Sequence, residues 1–265
     1  MNLILRSVLL ASLTATATAF ASDSQSLLGD AFDKLVENQG HWSFRERQSL
    51  QGLPGGAKGD TILVVDPSKP YPKQYSPIQV EGRPPSAGEL ADYREIGDKV
   101  AKRRARDLEE SGAHPGDRLR IRINSHEVTP DIEQATVKAE DGEGVTYVVP
   151  LRTNARGGSA YDSFQLTVRV NRARREFEHA TIRQRQTVRI ALVLSIADAV
   201  IDLDFTPVDP RYPSVITHIA QTAKVKLLFF RRAFSFELRR SGFIRVTPYD
   251  ERFGVKVGPL RSIDF

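Results

Sequence analysis

The feature that most constrains this chain is a change of hydrophobic period. From Phe164 to Val246, apolar side chains recur at every second position. Phe164, Leu166, Val168 and Val170 alternate with Gln165, Thr167 and Arg169, and Phe177 and Ile182 mark a further strand. Val188, Ile190, Leu192 and Leu194 alternate with Arg189, Ala191 and Val193, and Ile201, Leu203 and Phe205 alternate with Asp202 and Asp204. Val225, Leu227 and Phe229 share the period with Lys224 and Lys226, as do Phe234, Phe236 and Leu238 with Ser235, Glu237 and Arg239. Period two is strand geometry. Turn residues at Asn171, Asp198, Asp209-Pro210 and Arg231-Arg232 separate the runs. The pattern predicts an antiparallel meander with one wet face and one apolar face, its neighbours in sequence paired.

An apolar sheet face must be covered, and two helices precede the meander. Ser26 caps the first, Leu27, Leu28, Ala31, Phe32, Leu35 and Val36 form its apolar stripe, and Gly40 stops it. Ser86 and Glu89 form a capping box for the second. Leu90, Tyr93, Ile96, Val100 and Leu108 give that helix a partial stripe before Gly112 and Pro115. Trp42 and Phe44 begin a strand after the first helix, Gln51 to Asp60 is a Gly-rich loop, and Thr61 to Val65 is a short strand. Tyr75 to Val80 contains Pro77, which assigns it to a sheet edge. Leu119, Ile121 and Ile123 alternate with Arg118, Arg120 and Arg122. Ala135 to Ala139 and Val145 to Leu151 flank Asp141-Gly142-Glu143-Gly144, a hairpin turn, and Arg156 to Ser159 is a break. The fold class is therefore α+β, a curved antiparallel sheet closed by two helices from the N-terminal half.

Residues 1–21 read as an address. Arg6 precedes the uncharged run Ser7 to Phe20, and Ala19-Phe20-Ala21 is followed by polar Ser22-Asp23-Ser24. This is the pattern of a cleavable signal peptide, and the run is shorter than the roughly 20 residues a spanning helix needs. No linker or repeat divides the remainder of the chain, so residues 22–265 are read as a single domain. The chain has no cysteine, which excludes a disulfide scaffold, a thiol nucleophile and a thiolate metal site. Export without cysteine places the mature protein in a bacterial periplasm. Its 265 residues are 40% hydrophobic and 27% charged, with 38 basic against 33 acidic side chains, the balance of a globular protein.

No motif carries catalysis, and the chain is read as a non-enzyme without a cofactor. His41, His114, His126, His179 and His218 include no pair three or four apart, so no metal site is assigned. There is no nucleophile elbow. Asp202 and Asp204 share a strand face about 7 Å apart, and Arg189, Lys224 and Lys226 on neighbouring wet faces are their natural ion-pair partners. Basic rows at Lys99, Lys102, Arg103, Arg104 and Arg106 and at Arg118, Arg120 and Arg122 read as solvated faces, or as a surface for an anionic membrane or an envelope protein. They lack the exposed aromatics of a nucleic-acid reader.

What remains is the apolar concavity, with Phe164, Leu166, Val168, Ile190, Leu192, Leu194, Leu203, Phe205, Leu227, Phe229, Phe234 and Phe236 as its candidate lining. Each buried methylene contributes about 0.8 kcal/mol, so an acyl chain could bind there without any polar motif. The same residues also read as a filled core packed on the two helices, in which case the protein is an envelope interaction or regulatory protein that meets its partner through a basic face.

Phe205-Thr206-Pro207-Val208 followed by Pro213, and Val80-Glu81-Gly82-Arg83-Pro84-Pro85-Ser86 before a helix, resemble secreted proteins of the LolA/LolB superfamily of periplasmic lipoprotein carriers. The signal peptide, first helix and meander extend that resemblance over about two thirds of the mature chain. It implies an incomplete antiparallel barrel whose mouth is closed by helices, holding a lipid or lipoprotein acyl chain without a cofactor. The sequence departs from the membrane-anchored branch, whose cysteine position holds Ser22 here, and the Arg-rich second helix and Pro67 to Pro85 do not map onto the carriers.

Overall fold

The computed structural model describes residues 23–36, 38–52, 59–111, 120–123, 126–153, 164–191, 194–227, 230–253 and 262–264. The signal-peptide stretch, Gly112, Pro115, Arg118 and Arg156 to Ser159 lie outside the described residues. Helix α1 spans residues 23–36. It is followed by β1 (Trp42–Gln51), β2 (Gly59–Val65), a 3-10 turn (Tyr71–Lys73), β3 (Tyr75–Val80) and helix α2 (Ala87–Ser111). The strands β4 (Arg120–Ile123), β5 (His126–Pro130), β6 (Thr136–Glu140), β7 (Gly144–Val149) and β8 (Leu151–Thr153) come next. The meander comprises β9 (Phe164–Asn171), β10 (Glu176–Gln184), β11 (Val188–Ala191), β12 (Leu194–Thr206), β13 (Val215–Leu227) and β14 (Phe230–Arg245), and β15 (Ser262–Asp264) ends the described chain.

Eleven strands form one antiparallel sheet in the order β3-β2-β1-β14-β13-β12-β10-β9-β7-β6, with β11 pairing to β12 off that path. The terminal strands β3 and β6 do not pair with each other, so the sheet is open. The fold is α+β. Pro77 lies in β3, at an edge, where a missing N–H costs no ladder bond. The join between the two halves is β1 against β14, from Trp42 opposite Arg245 to Gln51 opposite Ser235. A smaller sheet has the order β15-β4-β5-β8, with β15 parallel to β4.

Local chemistry sets the turns. Asp141 Oδ1 accepts from the backbone N–H groups of Glu143 at 3.0 Å and Gly144 at 2.8 Å, which closes the β6–β7 hairpin. Asn171 Oδ1 accepts from the Arg174 N–H at 3.0 Å and does the same between β9 and β10. Two expected turns lie elsewhere. Ala191 pairs with Leu194 and Leu227 with Phe230, so the chain reverses before Asp198 and before Arg231-Arg232. Asp198 instead sits inside β12 at a register shift, with φ at +53°. A bulge absorbs one residue there without ending the strand, and aspartate tolerates the left-handed backbone better than most side chains.

Helix α1 lies on the apolar face of β7, β9, β10 and β12. Leu27, Leu28, Ala31, Phe32 and Leu35 are buried against Val145, Tyr147, Leu166, Val168, Phe177, Ile182, Ile201, Leu203 and Phe205. Phe32 meets Phe177 edge-on at 4.8 Å. Polar clasps fix the helix at its rim. Tyr147 donates to the Ser24 carbonyl at 2.9 Å, Lys34 donates to the Arg174 carbonyl at 2.6 Å, and Arg175 pairs with Asp30 at 2.5 Å. Past its end, Asn38 donates to the Pro213 carbonyl at 2.7 Å and accepts from Arg245 at 2.6 Å.

Helix α2 opens with the expected capping box. Glu89 accepts from the Ser86 N–H at 2.7 Å, and Ser86 Oγ accepts from the Glu89 N–H at 3.3 Å. A bidentate bond from Arg83 and those from Ser86 hold the Glu89 carboxyl down at about 2. The helix packs on β3 and the Tyr71–Lys73 turn. Gly97, buried in this contact, abuts the Tyr71 carbonyl so closely that any β-carbon would overlap it. Ile96 is exposed, so the sequence stripe is only partly used.

Leu28 is fully buried at the centre of the α1 contact. Leu28→Ala should cost about 2–5 kcal/mol of unfolding free energy, read as a lowered urea midpoint. Ile96→Ala on the exposed face of α2 should change it by less than about 0.5 kcal/mol.

Candidate functional site

The alternation of each strand divides the large sheet into a helix-bearing face and an opposite polar face. Of the candidate lining, Leu166, Val168, Leu203 and Phe205 are buried beneath α1 as core, and Phe164 and Phe236 pack half-buried at the margin of that cluster. Phe234 is half-buried two positions further along β14. Ile190, Leu194 and Leu227 are placed in β11, β12 and β13, but their side chains lie outside the described ones, and Leu192 and Phe229 lie outside the described residues altogether.

Beyond the footprint of α1 the same face continues over β13, β14 and β1. Register places Ile219 opposite Leu238 and Leu238 opposite Gln48, and Phe236 stands between Gln221 and Leu50. Leu50, Phe234 and Phe236 are half-buried. Near the end of this stretch lies a recess of about 380 Å³, but its lining is drawn mostly from the opposite face, where Gln51, Ser235 and Thr222 share one register row and Lys224 pairs with Asp198. A second recess of about 350 Å³ lies where α1 begins, between Ser24, Leu28, Val137 and Tyr147.

The other end of that strip is polar. Glu46, 5% exposed, accepts from Arg240 Nε at 2.9 Å and from Gln48 at 2.7 Å. The Arg240 guanidinium also lies 4.7 Å from the centre of the Phe44 ring. Tyr93 reaches this side from α2 and bonds to Thr61; burial raises its hydroxyl pKa, the Thr61 bond opposes that rise, and the Glu46 charge adds to it. Sequence reading did not find this pair, because Glu46 and Arg240 are almost two hundred residues apart and become neighbours only through the β1–β14 register. The detectable signal was parity: each occupies an inward position in a run whose other inward members are mostly apolar.

The opposite face carries the two aspartates. Among the described side chains their partners are His179, His218 and Thr181 rather than Lys224 or Lys226, and the Arg189 side chain lies outside the described ones. His179 Nδ1 lies 2.8 Å from Asp204 Oδ1, and His218 Nδ1 lies 2.8 Å from Asp204 Oδ2. His218 Nε2 is 3.1 Å from Glu237, His179 Nε2 is 3.0 Å from Thr181 Oγ1, and Thr181 donates to Asp202 at 2.7 Å. Lys224 pairs with Asp198 instead, at 2.8 Å. Two histidines that look scattered in sequence are thus brought to one carboxylate by the registers of β10, β12 and β13. Both nitrogens of His218 face carboxylates, and an imidazole carrying one N–H can donate to only one of them. Burial raises the Asp204 carboxyl, but the His218 and His179 bonds outweigh it and leave the group below its ordinary value. The row continues through Glu237, Arg239, Arg47 and Asp60 across β14, β1 and β2. No group of three metal-ligating side chains converges among the described residues.

Of the basic rows, Lys99 pairs with Glu95 at 2.8 Å on the surface of α2, and Arg120 and Arg122 lie in β4 of the small sheet. The side chains of Arg103, Arg104, Arg106, Arg120 and Arg122 lie outside the described ones.

No family model and no curated protein matches this sequence. Among solved structures the chain is similar to a LolA superfamily protein from Nitrosomonas europaea, with 12% identity over 88% of this chain and 97% of that one, and a TM-score of 0.34.

Because the Asp204 carboxyl is held below its ordinary value, its contribution to stability is complete above the unfolded value of about 4 and is lost as pH falls through the folded one. Asp204→Asn should cost about 1 kcal/mol at neutral pH, discounted for a half-exposed group. The gap to the native protein should close in acid, as urea denaturation at neutral pH and near pH 3 will test.

Proposed function

We propose that this chain is a non-enzymatic periplasmic binding protein, delivered by a cleaved signal peptide, that holds the apolar chain of a lipid or lipoprotein on its helix-bearing sheet face. The observation that carries the reading is that this face is longer than its cover. Helix α1 fills the stretch over β7, β9, β10 and β12, while Leu50, Phe234 and Phe236 on β1 and β14 remain half-covered. The proposed site therefore covers the β14 end of the candidate lining, and Leu166, Val168, Leu203 and Phe205 serve as its packed foundation. Binding needs only the removal of apolar area from water, at about 25 cal/mol per Å², which accords with the absence of a catalytic motif.

A second reading has one observation in its favour: the four residues under α1 are core, not open lining. On that reading the chain is an interaction or regulatory protein of the envelope that meets a protein or an anionic membrane surface through its basic residues. It predicts salt-sensitive capture and no lipid.

Native mass spectrometry of protein purified without detergent, with displacement of a fluorescent fatty acid, separates the two. Bound acyl chain or displacement supports the binding protein, and an empty protein with no displacement supports the second reading. Phe234→Ser should weaken probe binding roughly tenfold, from about 1.5 kcal/mol of lost apolar contact, while leaving the urea midpoint within about 1 kcal/mol of the parent.

A further inference from the structure

We infer that the surface formed where the loop from Asp66 to Gln74 meets the 3-10 turn Asp250–Phe253 is a docking site for an anionic lipid bilayer. It uses no residue of the proposed apolar site and none of the basic rows read from the sequence. Two distant segments build it. The Tyr71 hydroxyl donates to Asp250, 179 residues away in sequence. The Tyr249 N–H donates to the Pro67 carbonyl at 2.8 Å, and the rings of Tyr71 and Tyr249 lie 6.4 Å apart. Gly97 of α2 backs the same loop at the Tyr71 carbonyl.

Three features point to a bilayer. First, both segments sort their charges by sign. In the turn, Asp250 is engaged by Tyr71 and Glu251 by His41 Nε2 at 2.9 Å, while Arg252 and Phe253 are exposed. In the loop, Asp66 accepts from the N–H and the hydroxyl of Ser68 at 3.0 and 2.6 Å, while Lys69, Pro70, Pro72 and Lys73 are exposed. Water therefore meets three cations interleaved with apolar side chains. Lys69 keeps only a loose pair with Asp66 at 3.9 Å, and the Lys73 and Arg252 side chains make no ion pair among the described residues. On α2, beside Gly97, Arg94 and Asp98 are both exposed and opposite in sign, so they add no net charge. Second, Phe253 is 67% exposed, the highest value among the exposed large hydrophobic side chains described. Its ring is nevertheless braced, edge-on to Tyr249 at 5.0 Å, and Tyr249 is braced by Tyr71. A ring kept in water and flanked by cations is suited to enter a head-group layer while the cations meet lipid phosphates. Third, no partner holds the three cations in a fixed geometry. Long exposed stems suit a fluid layer of phosphates, which attracts charge without register, better than a protein with acids at set positions.

The test is flotation of the purified protein with vesicles of phosphatidylcholine, alone or mixed with phosphatidylglycerol, run beside displacement of the fluorescent fatty acid. Binding to the mixed vesicles should exceed binding to phosphatidylcholine by at least about tenfold and should fall steeply with added salt. Lys69→Gln, Lys73→Gln and Arg252→Gln should each weaken it roughly fivefold, and Phe253→Ser should weaken it further by removing the inserted ring. Lys138→Gln, Arg183→Gln and Arg185→Gln made together remove the same charge from other exposed positions. That control should leave binding within about twofold. The patch variants should displace the fatty acid as the native protein does, which separates docking from the apolar site. Equal binding to the two kinds of vesicle, or no binding to either, overturns the docking site whatever the fatty acid does. A loss in the control as large as in the triple patch variant also overturns it, because net charge alone would then account for the attraction.

Discussion

The structure depends on one contact, the apolar stripe of α1 seated on the curved face of the large sheet. A sheet whose strands alternate strictly between apolar and polar residues cannot leave its apolar face in water. Leu27, Leu28, Ala31, Phe32 and Leu35 supply the cover, and they touch strands on both sides of the β9–β10 hairpin. The contact fixes more than stability. With the helix clasped by Tyr147, Arg174 and Arg175 at its flank and by Pro213 and Arg245 beyond its end, the position of the uncovered part of the face is also set. The half-buried phenylalanines of β14 are a consequence of where a short helix stops.

The two faces of the sheet solve opposite electrostatic problems. On the helix side one ion pair, Glu46 with Arg240, is held among apolar neighbours and braced by Gln48 and Phe44. On the other side charges are placed in rows at the surface, where each is worth little alone and the row matters through its connections. Asp204 shows the point: both of its oxygens are engaged by imidazoles from adjacent strands, and one of those rings also reaches Glu237.

Much of the architecture was legible because it rests on local rules. Period two located the strands of the meander, the Ser86-Glu89 box located α2, Pro77 marked an edge, and the Asp141 turn formed where its side chain can cap two backbone N–H groups. Two turns were misplaced for a physical reason. Charged or turn-forming residues such as Asp198 and Arg232 also fit within a long strand, at a bulge or at an exposed position. The site was harder to read. Periodicity gives which face a side chain occupies but not which stretch of that face a helix will cover. It therefore grouped Leu203, which is core, with Phe234, which is not. The pairings of Glu46 with Arg240 and of His179 with His218 through Asp204 are set by strand order, which alternation does not encode.

The placement of β1 beside β14 has a consequence for how the chain is made. The segment that leaves the ribosome early finds its ladder partner in one of the last, and α1 just ahead of it waits for β9 to β12. Such distant pairing delays closure, since loop entropy must be overcome before the contacts repay it. Until β14 emerges, the N-terminal segment has no partner on that side to commit to, which keeps the nascent polypeptide threadable, as the proposed export through a translocation channel requires.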